Sequence, residues 1–175
     1  MIIMLFRFLL SNLLAIALLV WIGVAPVLAS NNPAMDARAA FNAGDFKTAA
    51  EILKRLATQG DQGSQYNLGM LYLEGKGVPK DDTMAASLLE DSARQGNSIA
   101  ALDLGILFRN GQGVKKDMER AYMWFQMAMM QLTGRDQATA SRYGKEIAKN
   151  MSSNQMQAAK EMIENCRDVG VKYCD

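Results

Sequence analysis

From Pro33 onward, apolar residues recur at helical spacing and are interrupted by short glycine-rich breaks. Between Ser64 and Glu74, the residues Leu68, Leu71 and Tyr72 share one helical face, which predicts a helix that Gly75-Lys76-Gly77 ends. Asp81 then stands at an N-cap position ahead of an amphipathic run from Asp82 to Gln95. The same plan follows downstream, with a helix from Ser98 to Arg109, a Gly111-Gln112-Gly113 turn, and Asp117 capping a helix that runs to Gln131. Upstream, Pro33 to Ala43 and Phe46 to Thr58 form a pair joined by the shorter turn Asn42-Ala43-Gly44-Asp45. After Thr133-Gly134-Arg135 come two more helical segments, Asp136 to Asn150 and Ser153 to Cys166, with Ser152 and Gln155 in a capping-box arrangement. Every predicted element is a helix, so the fold class is all-α.

The pattern is also periodic. Gly60 to Gln95 matches Gly96 to Gln131 at a shift of 36 positions with eleven identities and no gap. The matches include Leu68/Leu104, Gly69/Gly105, Leu71/Leu107, Gly75/Gly111, Gly77/Gly113, Asp81/Asp117 and Ala85/Ala121. Ala49, Leu53, Ala57, Gln59 and Gly60 repeat the end of the same unit, at Ala85, Leu89, Ala93, Gln95 and Gly96. A period of this length predicts a solenoid of stacked helix pairs, in which each unit buries its apolar face on its neighbour. Gly69 allows close helix approach, Val78 tucks under its pair, and Gly60 and Gly96 break the chain between units.

Residues 1–29 stand apart. Arg7 is their only ionic side chain; an apolar run from Phe8 to Val20 follows, and Val27-Leu28-Ala29 presents small residues suited to cleavage after Ala29. The segment reads as a signal peptide, and residues 30–175 as a single repeat domain. An uncleaved anchor is the alternative, because Phe8 to Ala29 is long enough to span a bilayer.

Composition then removes several kinds of chemistry. The chain has 19 Lys+Arg against 18 Asp+Glu, and losing Arg7 with the leader leaves it formally neutral, which argues against nucleic acid as a partner. Any membrane contact is expected only through the leader, if it is retained. There is no histidine, no Gly-x-Ser-x-Gly and no Ser/Thr-x-x-Lys, so nucleophilic catalysis lacks its parts. The acidic pairs Asp81/Asp82 and Asp117/Glu119 sit where helices begin and read as caps. No enzyme activity and no cofactor are expected. Met123, Met127 and Met130 form a stripe that either receives the helix beginning at Asp136 or, as soft thioethers, binds cuprous copper.

The motifs Leu68-Gly69-Met70-Leu71-Tyr72, Gly75-Lys76-Gly77-Val78-Pro79-Lys80-Asp81 and Ala93-Arg94-Gln95-Gly96 resemble the Sel-one-like repeat, a relative of the tetratricopeptide repeat. They recur at Leu104-Gly105-Ile106-Leu107-Phe108 and Gly111-Gln112-Gly113-Val114, with Ala121, Trp124, Phe125 and Ala128 following. The resemblance implies a right-handed α-solenoid of helix-turn-helix repeats that binds other proteins, often in the periplasm. Its units would be 30–60, 61–96 and 97–132, with 133–175 as a helical cap. By analogy with tetratricopeptide geometry, an exposed inner face would carry Arg38, Phe41, Tyr66, Met70, Leu73, Leu102, Ile106 and Arg109. That face would be free for a partner, or else covered by the chain's own tail or a sister subunit. Cysteine-rich relatives staple helices at the spacing of Cys166 and Cys174, which implies a disulfide tying down the tail, with two free thiols as the alternative.

The functional expectation is a non-catalytic periplasmic adaptor or scaffold that assembles or regulates an envelope protein. The alternative is a permanently bound accessory subunit of an envelope complex. A hydrolase of the penicillin-binding kind and a methionine-based copper carrier are the remote readings.

Overall fold

In the computed structural model the described residues run from Asn32 to Val169, with side chains described through Cys166. They form eight α-helices: α1 (Pro33–Asn42), α2 (Phe46–Thr58), α3 (Gln62–Glu74), α4 (Asp82–Arg94), α5 (Ser98–Asn110), α6 (Met118–Met129), α7 (Gly134–Ala148) and α8 (Ser153–Val169). No strand occurs among the described residues, and no helix there is long and apolar enough to cross a membrane. The leader assigned to residues 1–29 lies outside the described residues.

Helix starts are set by side-chain caps. Asp81 accepts hydrogen bonds from the Thr83 and Met84 N–H groups, and Asp117 accepts from Arg120 N–H, each satisfying donors that a helix leaves unpaired. Asn32, Asp45, Asp61 and Asn97 do the same for α1, α2, α3 and α5. Ser152 and Gln155 close a reciprocal capping box at the start of α8, with bonds of 3.1 and 3.3 Å. α3 and α5 end on Gly75 and Gly111 in the left-handed conformation, whose N–H groups return to Leu71 O and Leu107 O.

From α1 to α7 each helix packs on the next, giving three antiparallel pairs in a row. The repeat register carries the core: Ala49, Ala85 and Ala121 occupy equivalent places on α2, α4 and α6, and all are fully buried. Leu53, Leu89 and Phe125 follow one turn later and are also buried. Small residues at the first of these positions let the paired helices approach, and the larger ones fill the space behind. Gly69 meets Leu89 Cγ at 3.2 Å, measured from where its Cβ would stand, and Gly105 meets Phe125 Cε1 at 2.7 Å on the same measure. Trp124 and Ala128 complete the buried side of α6, as the register predicts.

Neighbouring units are also joined by glycines and amides. Gly77 has φ +71°, and a Cβ there would run into the carbonyl of Phe46, the first residue of α2. Gly113, at φ +69°, stands in the same relation to Asp82, the first residue of α4. Each turn therefore rests on the start of the preceding unit's second helix, which only glycine permits. Gln65 Nε2 donates to Ala57 O at 3.4 Å and Gln112 Nε2 to Asp82 Oδ1 at 3.2 Å across unit boundaries. Within the middle unit Ser92 Oγ donates to Gln62 O at 2.7 Å, and Gln95 Nε2 donates to Gln65 Oε1 at 2.6 Å.

The end of the solenoid departs from the repeat. α7 and α8 both dock on α6. Tyr143 of α7 stacks at 5.5 Å on Phe125, and Cys166 of α8 places its Sγ 3.6 Å from Met123 Sδ. The stripe expected to receive only the helix beginning at Asp136 is therefore divided. Met123 and Met127 are buried, Met123 beneath α8, whereas Met130 is 53% exposed.

Candidate protein-binding face

The first helices of the three pairs, α1, α3 and α5, carry the residues expected to form an inner binding strip. The structure divides that strip into an open end and a closed end. At the open end Arg38 and Phe41 line a groove of about 340 Å³ between α1 and α3, with Ala34, Ala37 and Leu53 in its floor and Asn67 on its far wall. Phe41 is 43% exposed, although its ring packs edge-on against Phe46 at 5.2 Å. Lys76 Nζ lies 5.4 Å from the Phe46 ring, adding a cation–π contact from the next unit's turn.

The remaining positions are less accessible than the sequence pattern implied. Leu102 is 6% exposed and belongs to the core, so its expected place on an exposed face is corrected. Its helix α5 is enclosed by α4 and α6, and α7 reaches its edge, so α5 is apolar on nearly every side. Tyr66, Met70, Leu73 and Ile106 are half-buried against that same core. Arg109 is held over the Tyr143 ring of α7 at 4.0 Å, and its Nε donates to Asn110 Oδ1 at 3.3 Å. The strip is thus apolar along its length, but α7 covers its C-terminal part.

One ionisable group within the strip had no place in the sequence-level expectation. Asp103, on α5, accepts a hydrogen bond from the Tyr66 hydroxyl of α3. Burial raises its pKa to about 6, with Asp136 of α7 adding to the rise and the Tyr66 hydrogen bond opposing it. Burial also raises the Tyr66 phenol, with the Asp103 charge contributing. The sequence signal was a lone carboxylate inside the apolar run Ser98 to Phe108. Ala34, Ala37 and Asn67 were likewise missed, since small or amide side chains at a groove carry no compositional mark.

Among the described residues no cluster of three or more His, Cys, Asp or Glu side chains could hold a metal ion. No free cysteine occurs there, and Cys166 is 2% exposed. Its expected partner Cys174 lies outside the described residues.

Comparison with known proteins agrees with this geometry. The Sel1 repeat family model matches residues 63–97 and 98–131. A protective antigen present in uropathogenic Escherichia coli strains, displaying an SLR fold, superposes with a TM-score of 0.71 at 28% identity. That match covers 81% of this chain but 30% of the antigen. A Sel1 repeat protein from Oxalobacter formigenes has the same fold, with a TM-score of 0.59 at 23% identity over 75% of this chain and 55% of its own. The chain therefore spans less than a third of the first neighbour and about half of the second. No curated protein matches the sequence. Sel1 repeat proteins generally mediate protein–protein interaction. Two tandem Sel1 repeats, at residues 63–97 and 98–131, are thus set in an all-α solenoid whose fold the solved neighbours share.

Proposed function

We propose that the protein is exported to the periplasm and acts there as a non-catalytic scaffold, holding a segment of an envelope protein in the groove between α1 and α3. The observation that carries this reading is the open groove itself, with an accessible aromatic ring and a cation at its edge. Because Asp61 also lines the groove, it suits an apolar side chain anchored beside a backbone carbonyl or another uncharged polar group. Support for export comes from the charge-poor segment 1–29 with its Ala29 cleavage signal, and from a cysteine pair that an oxidising compartment would join. The Cys166–Cys174 bridge would then hold the tail to α8, and with so short a loop would stabilise it by roughly 2–3 kcal/mol.

Two measurements test the parts separately. Sequencing the amino terminus of the protein from a periplasmic fraction should return Ser30; recovery of Met1 in the membrane fraction would instead mean a retained anchor. Affinity capture should lose its specific partner when Phe41 becomes Lys and keep it when Lys54, on the exposed side of α2, becomes Glu. Charge introduced at Ile106 cannot serve this purpose, because that side chain packs against the core and its loss would report on folding.

A further inference from the structure

We propose that the outer face of α7 is a docking ridge for an acidic polypeptide segment. Arg135, Ala138, Arg142, Lys145 and Lys149 follow one another at steps of three and four residues along α7 and its C-cap. At 100° per residue they occupy an arc of about 80°. Ala140, Gly144 and Ile147, which are buried against the rest of the fold, lie on the opposite side. The ridge is about 21 Å long at the helical rise, and all four of its cations are exposed.

Arg142 lies over the neighbouring Tyr143 ring at 4.7 Å, but none of these cations is matched by a carboxylate among the described residues. Lys76, Lys80, Arg94 and Arg120 each pair with a carboxylate, whereas none of the four on the ridge does so among the described residues. Compensation of the helix dipole accounts for Lys145 and Lys149 at the C-terminal end, but it disfavours Arg135 in the first turn. Of the two carboxylates on α7, Glu146 stands at the edge of the ridge, and Asp136 is near enough to Tyr66 and Asp103 for its charge to act on both. A depression of about 710 Å³ runs over Ala138, Ser141, Arg142, Lys145, Lys149 and Asn150, with the one carboxylate Glu146 also in its lining, giving a chain somewhere to lie among three cations.

The geometry favours a polypeptide over a lipid surface. The apolar side of α7 is spent on α6, so nothing on this helix can enter a bilayer. A single row of charges also fits a line of carboxylates, such as a partner helix with Glu or Asp at steps of three and four, whose side chains stand about 5–6 Å apart. This surface is separate from the groove between α1 and α3, and the proposal depends neither on that groove nor on export.

The test uses the purified full chain and a fluorescent helical peptide of about 15 residues, the length that spans ~21 Å, carrying Glu at steps of three and four. Anisotropy should report binding that weakens at least about tenfold as salt rises from ~0.01 M to ~1 M and charges are screened. The triple variant Arg142→Glu, Lys145→Glu, Lys149→Glu should lose that binding, and the single variant Arg135→Glu should weaken it several-fold. Reversal of Lys54 and Arg55 on α2 should leave it unchanged. Circular dichroism of each variant separates loss of binding from loss of fold, and Arg135→Glu carries the test if the triple variant unfolds. Absence of binding would overturn the proposal. So would binding that survives reversal of the ridge, or preferential binding to phosphatidylglycerol vesicles over the peptide.

Discussion

Gly77 and Gly113 occupy equivalent turns, and at each the missing Cβ makes room for a backbone carbonyl of the preceding unit. Replacing either with Ala forces a left-handed backbone and a clash together, a cost on the order of 2–4 kcal/mol. Gly44 and Gly60 also have positive φ, but nothing lies within 4 Å of their would-be Cβ. Ala there should cost only about 1 kcal/mol. Urea denaturation of the four variants checks the ranking; equal losses would mean that unit-to-unit contact through the turns is unimportant. Asp103 offers a second test at this scale. Folding raises its pKa from 3.8 to about 6, so the folded state holds this proton more tightly than the unfolded chain. Its ionised form therefore costs stability above about pH 6, on the order of 1–2 kcal/mol for a partly exposed group, and that cost fades as pH falls toward 4. Asp103→Asn, which can still accept from Tyr66, should raise the Tm at pH 8 and match the parent near pH 4. Parallel Tm profiles would contradict this assignment.

The helices were legible because apolar spacing, glycine breaks and acidic caps agree at the same positions. Phe46–Thr58 has the bounds its pattern predicts, and α4 and α6 begin at the caps that Asp81 and Asp117 mark. Less legible was the way the last helices pack, because the repeat pattern stops at Leu132 and spacing alone does not choose a docking surface. Phe125 takes Tyr143 of α7, while Met123 takes Cys166 of α8. Hence Met123→Ala should loosen α8 before the rest of the molecule, with a total loss of about 2–3 kcal/mol. Hydrogen exchange would show this as protection lost first in residues 153–166. Uniform loss along the chain would instead mean that α8 and the repeats unfold as one unit. The inner face was legible only as a line of residues. That Leu102 is core depends on how α4 and α6 enclose α5, and that Arg109 is held by Tyr143 depends on α7 reaching the edge of α5, neither of which any periodicity announces.

For the whole molecule, the solenoid gives its two ends different characters. The first pair leaves a groove open beside Phe41, while the last pair is sealed by α7 and α8. A scaffold of this form needs no reacting groups; what it requires is a surface held rigid by the repeats behind it. A photo-crosslinking amino acid placed in living cells at Phe41 or Asn67, and for comparison at Lys54 on α2, would read that surface in place. Adducts to one discrete protein from Phe41 and Asn67, and none from Lys54, are the expected result. A chain that crosslinks equally from all three positions, or from none, would contradict a scaffold that works through the groove between α1 and α3.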